Sequence, residues 1–279
     1  MSGGNLTKEQ YKAKTLSMKQ AAIEYASGTP IQTVMKKYNV SYASVYNAIK
    51  RFDIPYEGRS NRRVFFDESY FTNIDTEDKA YWLGYIYADG NVNTTDNDMS
   101  KPNRLTLNAS GEDGEHLRKF MKDIQYTGEL RFQIQPKSYS ETPSYRVQCN
   151  SIKLVSDLMH HGCMPNKTSS SHLPPLTPEM LRHFIRGYFD GDGCISPTNR
   201  VGEFSITSEP NILLEIQQVL MKELGLSQTK LKTYKHTTVA CSLRYGGRAN
   251  LSKLYDYMYS NATIYMQRKF DKFSLLLSQ

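Results

Sequence analysis

Cysteine is scarce: Cys149, Cys163, Cys194 and Cys241 are the only four in 279 residues. None stands in a C-x-x-C pair, and four scattered thiols make no disulfide framework for a chain of this length, so reduced thiols in a reducing compartment are expected. His160, His161 and Cys163 cluster, but no further zinc ligands follow at a familiar spacing. Gly162 among them marks the end of a helix instead. Apolar runs are short, and none approaches the ~18 residues of a membrane-spanning helix. The opening stretch MSGGNLTKEQYKAK has no apolar centre of a signal peptide, so a cytoplasmic location is expected. Acid is in deficit, with 28 Asp+Glu against 35 Lys+Arg and a formal net charge of +7.

That excess is not spread evenly. Residues 1–66 carry 11 Lys+Arg and 4 Asp+Glu, and the remainder carries equal numbers of each sign. A basic module joined to a neutral body suits a polyanion partner, most often nucleic acid. Within the module, Ala21, Ala22, Ile23 and Tyr25 suit a first helix, broken near Gly28. Pro30 fits the first turn of a second, on which Ile31, Val34 and Met35 share a face. Asn39-Val40 makes a turn, and Ser41 is a good N-cap for a third helix that buries Val45, Ile49 and Phe52. This is the plan of a helix-turn-helix over residues 1–56. The third helix then presents Tyr42, Ser44, Asn47 and Lys50 to a major groove, with Arg51 near phosphates. A three-helix bundle that binds protein would use the same pattern. Residues 57–75 read as a basic linker whose Arg62 and Arg63 can lie along DNA or simply in solvent.

The rest of the chain repeats itself. Tyr81–Gly90 reads YWLGYIYADG and Phe184–Gly193 reads FIRGYFDGDG, with Gly84 matching Gly187 and Asp89 matching Asp192. Ala80, Gly84 and Ala88 fall on one helical face, as do His183, Gly187 and Gly191. Small residues at that spacing let two helices approach closely, although His183 is bulky enough to loosen the contact. Both copies continue in parallel. RLTLNAS and GEFSITS alternate like strands, a helical stretch follows each, then paired strands, then a closing helix. The architecture is therefore α+β, with tandem α-β-β-α-β-β-α repeats over residues 76–172 and 173–279 about a pseudo-two-fold axis. Polar side chains of the strands, Arg131, Gln133, Gln135, Arg146, Gln148, Lys230, Lys232 and Arg244, share sheet faces. They are base-reading residue types, although an ordinary solvated sheet face alternates in the same way. Taken singly, each Asp-Gly is the usual end of a helix. A calcium loop at DGDGCIS is excluded, because Cys194 and Ile195 stand where a ligand and a glycine are needed.

With both copies in register, WLGYIYADG and IRGYFDGDG resemble the motif of the LAGLIDADG homing endonucleases. The flanking FDESYFTNIDTEDKAYWLGYIYADG, SIKLVSDLMHHGCMPNKT and ATIYMQRKFDKF resemble the family too. The resemblance runs from about residue 66 to the C-terminus and leaves out the basic module, which members of the family can carry as an addition. It implies a single-chain monomer that imitates a dimer and cuts both strands of a long, asymmetric DNA duplex across the minor groove. It also implies intron mobility, Mg²⁺ or Mn²⁺ as cofactor, and Asp89 and Asp192 as the central acids, with the carbonyls of Ala88 and Gly191 completing the metal shell. Phosphodiester hydrolysis needs an activated water and charge neutralisation at the leaving oxygen, which a cation held by carboxylates supplies. Two departures stand out. Tyr87 occupies the place where the second copy keeps Asp190, and no lysine recurs in both copies at the family's basic position, for which Lys153, Arg244 and Arg248 are the candidates. A non-cutting relative of this scaffold, a transcription regulator or an RNA maturase, is the alternative, and the paired carboxylates favour the enzyme. An intein is not expected, since the chain opens without Cys or Ser and ends LLLSQ.

Overall fold

A computed structural model describes residues 7–29, 31–55, 64–94, 102–133, 144–165, 171–197, 202–234 and 240–278. The chain divides into two compact units, Met1–Val64 and Phe65–Gln279.

The first unit holds three helices, α1 (Lys8–Ala26), α2 (Ile31–Tyr38) and α3 (Tyr42–Arg51). Thr7 and Gln10 cap α1 reciprocally, and the Ser41 hydroxyl accepts from the Ser44 amide to start α3. Between α2 and α3, Asn39 takes the left-handed conformation that Asn tolerates better than most residues. Ala21, Ala22, Tyr25, Ile31, Val34, Val45, Ala48 and Ile49 form a separate small core. Glu24 ties α1 to α2 by accepting from Lys37 and from the Tyr38 hydroxyl. Pro30, Arg62 and Arg63 lie outside the described residues.

The second unit follows the repeated element order. The first copy runs α4 (Glu77–Asp89), β1 (Asn91–Thr94), β2 (Pro102–Ser110), α5 (Gly114–Asp123), β3 (Arg131–Gln133), β4 (Ser144–Asn150) and α6 (Ile152–His160). The second runs α7 (Pro178–Asp192), β5 (Gly193–Ser196), β6 (Glu203–Ser208), α8 (Pro210–Leu224), β7 (Lys232–Thr233), β8 (Cys241–Gly246) and α9 (Arg248–Tyr259). A helix beyond the repeat, α10 (Gln267–Ser278), follows α9. Each copy makes one antiparallel four-stranded sheet, in the orders β1-β2-β4-β3 and β5-β6-β8-β7. The fold is α+β, as the strand alternation and helical stretches predict.

The predicted linker is shorter than residues 57–75. The Thr127 amide and hydroxyl both donate to the Phe65 carbonyl, the Phe65 amide donates to the Thr127 hydroxyl, and the Asp67 amide donates to the Ile124 carbonyl. Tyr70 and Phe71 are buried in the core of the second unit. Phe66, Tyr70 and Phe71 of FFDESYF therefore pack against the body while Phe65 stays exposed, which the charge of the preceding arginines obscures in the sequence.

Helices α4 and α7 form the spine of this unit. Every residue is buried from Ala80 to Tyr87 of α4 and from His183 to Asp190 of α7. A Cβ on Gly84 would sit 2.0 Å from the Phe184 carbonyl oxygen, and one on Gly187 would sit 1.9 Å from that of Tyr81. Backbone meets backbone, which no larger residue allows. His183 does not loosen the contact as its size suggests: it is buried, and its Nδ1 pairs with the Arg186 guanidinium at 2.9 Å. Alanine in place of a mid-helix glycine ordinarily stabilises by about 1 kcal/mol. Here Gly84→Ala and Gly187→Ala are each expected to destabilise by about 3 kcal/mol or more, because the obstacle is backbone and cannot rotate away. Urea unfolding measures the sign.

Candidate active site and nucleic-acid interface

Asp89 and Asp192 are the last residues of α4 and α7. The crossing continues to these ends. A Cβ on Gly191 would lie 2.3 Å from that of Ala88 and 3.5 Å from the Asp89 amide. Two helix C-termini, each with the partial negative charge of its carbonyls, thus touch while carrying one carboxylate each. Asp89 is exposed and Asp192 half-buried. The donors here are all oxygen, which suits a hard divalent cation. No group of three or more His, Cys, Asp or Glu side chains is placed to hold a metal among the described residues. Asp89, Asp192 and the Ala88 and Gly191 carbonyls are the oxygens that the resemblance assigns to such a cation, and they would leave the rest of its shell to water or substrate.

Behind the paired ends lies a buried polar network. Asp190 accepts from the Tyr81 hydroxyl and the Met266 amide, both at 2.7 Å, and from the Tyr259 hydroxyl at 3.4 Å. Its complete burial raises the carboxyl to about 6, against the pull of those donors and of the Lys269 ammonium. Tyr81 oxygen is also 2.7 Å from His116 Nε2. Since Tyr81 gives its proton to Asp190, this ring nitrogen carries the other proton. Burial drives His116 down to about 3, so the ring stays neutral. Arg186 is fully buried and donates to the Ile264 and Met258 carbonyls and to Glu77. Burial opposes the ionisation of Glu77, but the Thr263 amide and Arg186 outweigh it and hold the carboxyl below its ordinary range.

At the matching place in the first copy, the Tyr87 hydroxyl donates to the His161 carbonyl. Tyr87 and Asp190 thus do one job with opposite hydrogen-bond polarity. Each secures the segment that follows its own closing helix, the tyrosine through a carbonyl and the aspartate through an amide. The left-handed Gly162 beside Tyr87 makes His160–Cys163 a helix end.

The polar faces of the two sheets differ in chemistry. On the first, register places Arg104 opposite Asn150, Thr106 opposite Gln148, Asn108 opposite Arg146, and Arg131 opposite Arg146. Arg104 and Gln148 both donate to Asn150, and Arg146 donates to Asn108. Gln133 lies on β3 in the same register, and Gln135 lies outside the described residues. On the second, Arg244 donates to Glu203 and to the Tyr234 hydroxyl, while Ser242 bonds both Tyr234 and Thr207. Lys230 and Lys232 are exposed at the start of β7. Lys153 sits in the first turn of α6, where it meets Asp157 and the Thr72 hydroxyl. Arg248 donates to the Leu277 carbonyl.

On α3, Tyr42, Asn47, Lys50 and Arg51 are exposed, whereas Ser44 is half-buried in the N-cap turn. Tyr46 is exposed in its place. It stacks on Tyr42 with ring centroids 6.1 Å apart and lies under the Lys50 ammonium at 5.0 Å. Spacing at four and eight from Tyr42 could have found this ladder. Tyr81, His116 and Lys269 were not legible, because their partners are distant in sequence.

Tyr81→Phe removes one donor from a buried carboxylate and strands the His116 N–H. It is expected to cost about 1–3 kcal/mol, read as a lower urea midpoint. Tyr85→Phe, which leaves the Asp190 donors in place, is the control.

Residues 179–259 match the family model described as a LAGLIDADG-like domain. Among solved structures, the chain is similar to the I-LtrWI LAGLIDADG homing endonuclease bound to target DNA, at 13% identity over 76% of this chain and 90% of that one, with a TM-score of 0.46. It is similar to the LAGLIDADG meganuclease I-AabMI bound to uncleaved DNA, at 12% identity over 73% and 91%, TM-score 0.45. It is also similar to I-DmoI in complex with DNA and Mn, at 16% identity over 70% and 99%, TM-score 0.43. No curated protein sequence matches it. No helix among the described residues is long and apolar enough to cross a membrane. Over residues 179–259, from the first turn of α7 to the end of α9, the chain carries a LAGLIDADG-like domain.

Proposed function

We propose that the protein is a site-specific endonuclease that cuts both strands of duplex DNA with Mg²⁺ or Mn²⁺, acting as a monomer with internal pseudo-symmetry. The observation that carries this reading is the backbone contact of α4 with α7, which brings Asp89 and Asp192 to one place. A cation bound there supplies charge to the scissile phosphates and acidifies a bound water. Asp89 and Asp192 would supply carboxylate oxygens to it from two adjoining helix ends. The polar sheet faces offer Arg, Asn and Gln pairs to base edges on one half and Arg, Glu and Tyr on the other, which suits an asymmetric target. The Tyr42, Tyr46 and Lys50 ladder, with Asn47 and Arg51, supports the first unit as a second DNA reader, and its net charge supplies phosphate contacts.

Two outcomes test this. With a library of duplexes and Mg²⁺, the wild type is expected to cut a defined sequence. Asp89→Asn and Asp192→Asn are each expected to lose about 100-fold or more in cleavage rate while binding the same duplex. Tight binding without cutting by the wild type would assign the scaffold to a non-cutting nucleic-acid binder. Replacing Lys50 and Arg51 by alanine is expected to lower the slope of log affinity against log salt by about 2. An unchanged slope would remove the first unit from the interface.

A further inference from the structure

Lys269 comes from α10, outside the repeat, yet its ammonium ends at the paired helix termini. It is buried, with 6% of its surface exposed. It donates to the carbonyls of Phe189, Asp190 and Gly191 at 2.8, 2.7 and 3.1 Å, which are carbonyls of the last turn of α7. The stem lies across the Phe189 ring, with the nitrogen 5.4 Å from its centroid. All three ammonium protons therefore have a partner. Burial disfavours the charge, and the Asp190 carboxylate is the main opposing influence, with Asp89 of the other helix also favouring it. Arg268, its neighbour, is turned away to a two-point contact with Asp113.

The geometry has a consequence for metal binding. Two helix C-termini and two carboxylates concentrate negative charge at one place, and helix ends of that sign attract cations. Lys269 provides one from the protein itself. It also uses the Gly191 carbonyl, an oxygen that a divalent cation would share. An ammonium and a divalent cation drawn to the same oxygens repel each other in a site where water is partly excluded.

We propose that Lys269 is a built-in cation of this centre: it holds the α7 end, with Asp192, in place when no metal is bound, and it opposes the divalent cation there, keeping metal affinity low. The proposal rests on the metal centre at Asp89 and Asp192, so its test separates the two. The probe is terbium, titrated into the full chain without DNA, with luminescence sensitised by tyrosine. Asp89→Asn, which should lose the signal, locates it. Lys269→Met keeps the stem and removes the charge, and is expected to bind terbium at least fivefold more tightly than wild type. Lys269→Gln, which keeps a donor for the carbonyls, carries the same expectation should the Met variant not fold. In cleavage, the Mg²⁺ concentration for half-maximal rate should fall at least fivefold. A lysine that merely props up the fold would leave terbium affinity unchanged or weaken it, and either result overturns the proposal. A wild type that binds terbium but cuts no duplex would sink the endonuclease reading, while the terbium comparison still judges Lys269.

Discussion

The close approach of α4 and α7 is the constraint on which the second unit depends. Gly84 and Gly187 let the two backbones touch, and every later feature follows from that separation. The glycines keep the touching faces small, and large aromatic residues of both helices pack around the crossing, with Tyr87 meeting Phe184 across it. Trp82, Tyr81, Phe184 and Phe189 are all fully buried. Because the crossing runs on to Ala88 and Gly191, the helix ends adjoin, and the acid that closes each helix meets its counterpart. Negative charge accumulates there as a direct result of packing.

That accumulation shapes what surrounds it. The stretch from Thr263 to Lys269 gathers the compensating groups. Its amides reach Glu77 and Asp190, its carbonyl at Ile264 accepts from Arg186, Arg268 reaches Asp113, and Lys269 caps α7. Glu77 and Asp113 belong to the first copy and the other partners to the second, so one short segment ties both halves together. The interface between the copies is thus backbone-close at its glycines, with the buried charges of Arg186 and Asp190 set into it. Buried ionic groups of this kind are costly unless fully paired, and here each charge has a partner across an element boundary.

Much of this was legible in the sequence, for a simple reason. The 3.6-residue and two-residue periodicities are local, and the repeat doubles the signal. YWLGYIYADG and FIRGYFDGDG announce both the glycine contact and the paired acids, and RLTLNAS and GEFSITS appear as β2 and β6. Long-range pairing is where sequence reading stops. Nothing near Lys269 says that its ammonium ends on α7, and nothing near Tyr81 points to His116. The contrast between Tyr87 and Asp190 reads in the sequence as a lost acid. In the structure it is two hydrogen-bond solutions to one packing problem. The arginines before FFDESYF disguise aromatic residues that bury, so the linker reads longer than it is, and Ser44 reads as a surface residue rather than part of a cap, which hides Tyr46.

On the proposed function, α4 and α7 meet so that two acids make one metal-binding place. The direct measurement is anomalous X-ray scattering from crystals of the full chain soaked in Mn²⁺. Manganese is expected between the Asp89 and Asp192 carboxylates, and is expected to be lost from crystals of Asp192→Asn. Manganese bound only elsewhere, or retained unchanged when Asp192 is replaced, would contradict it.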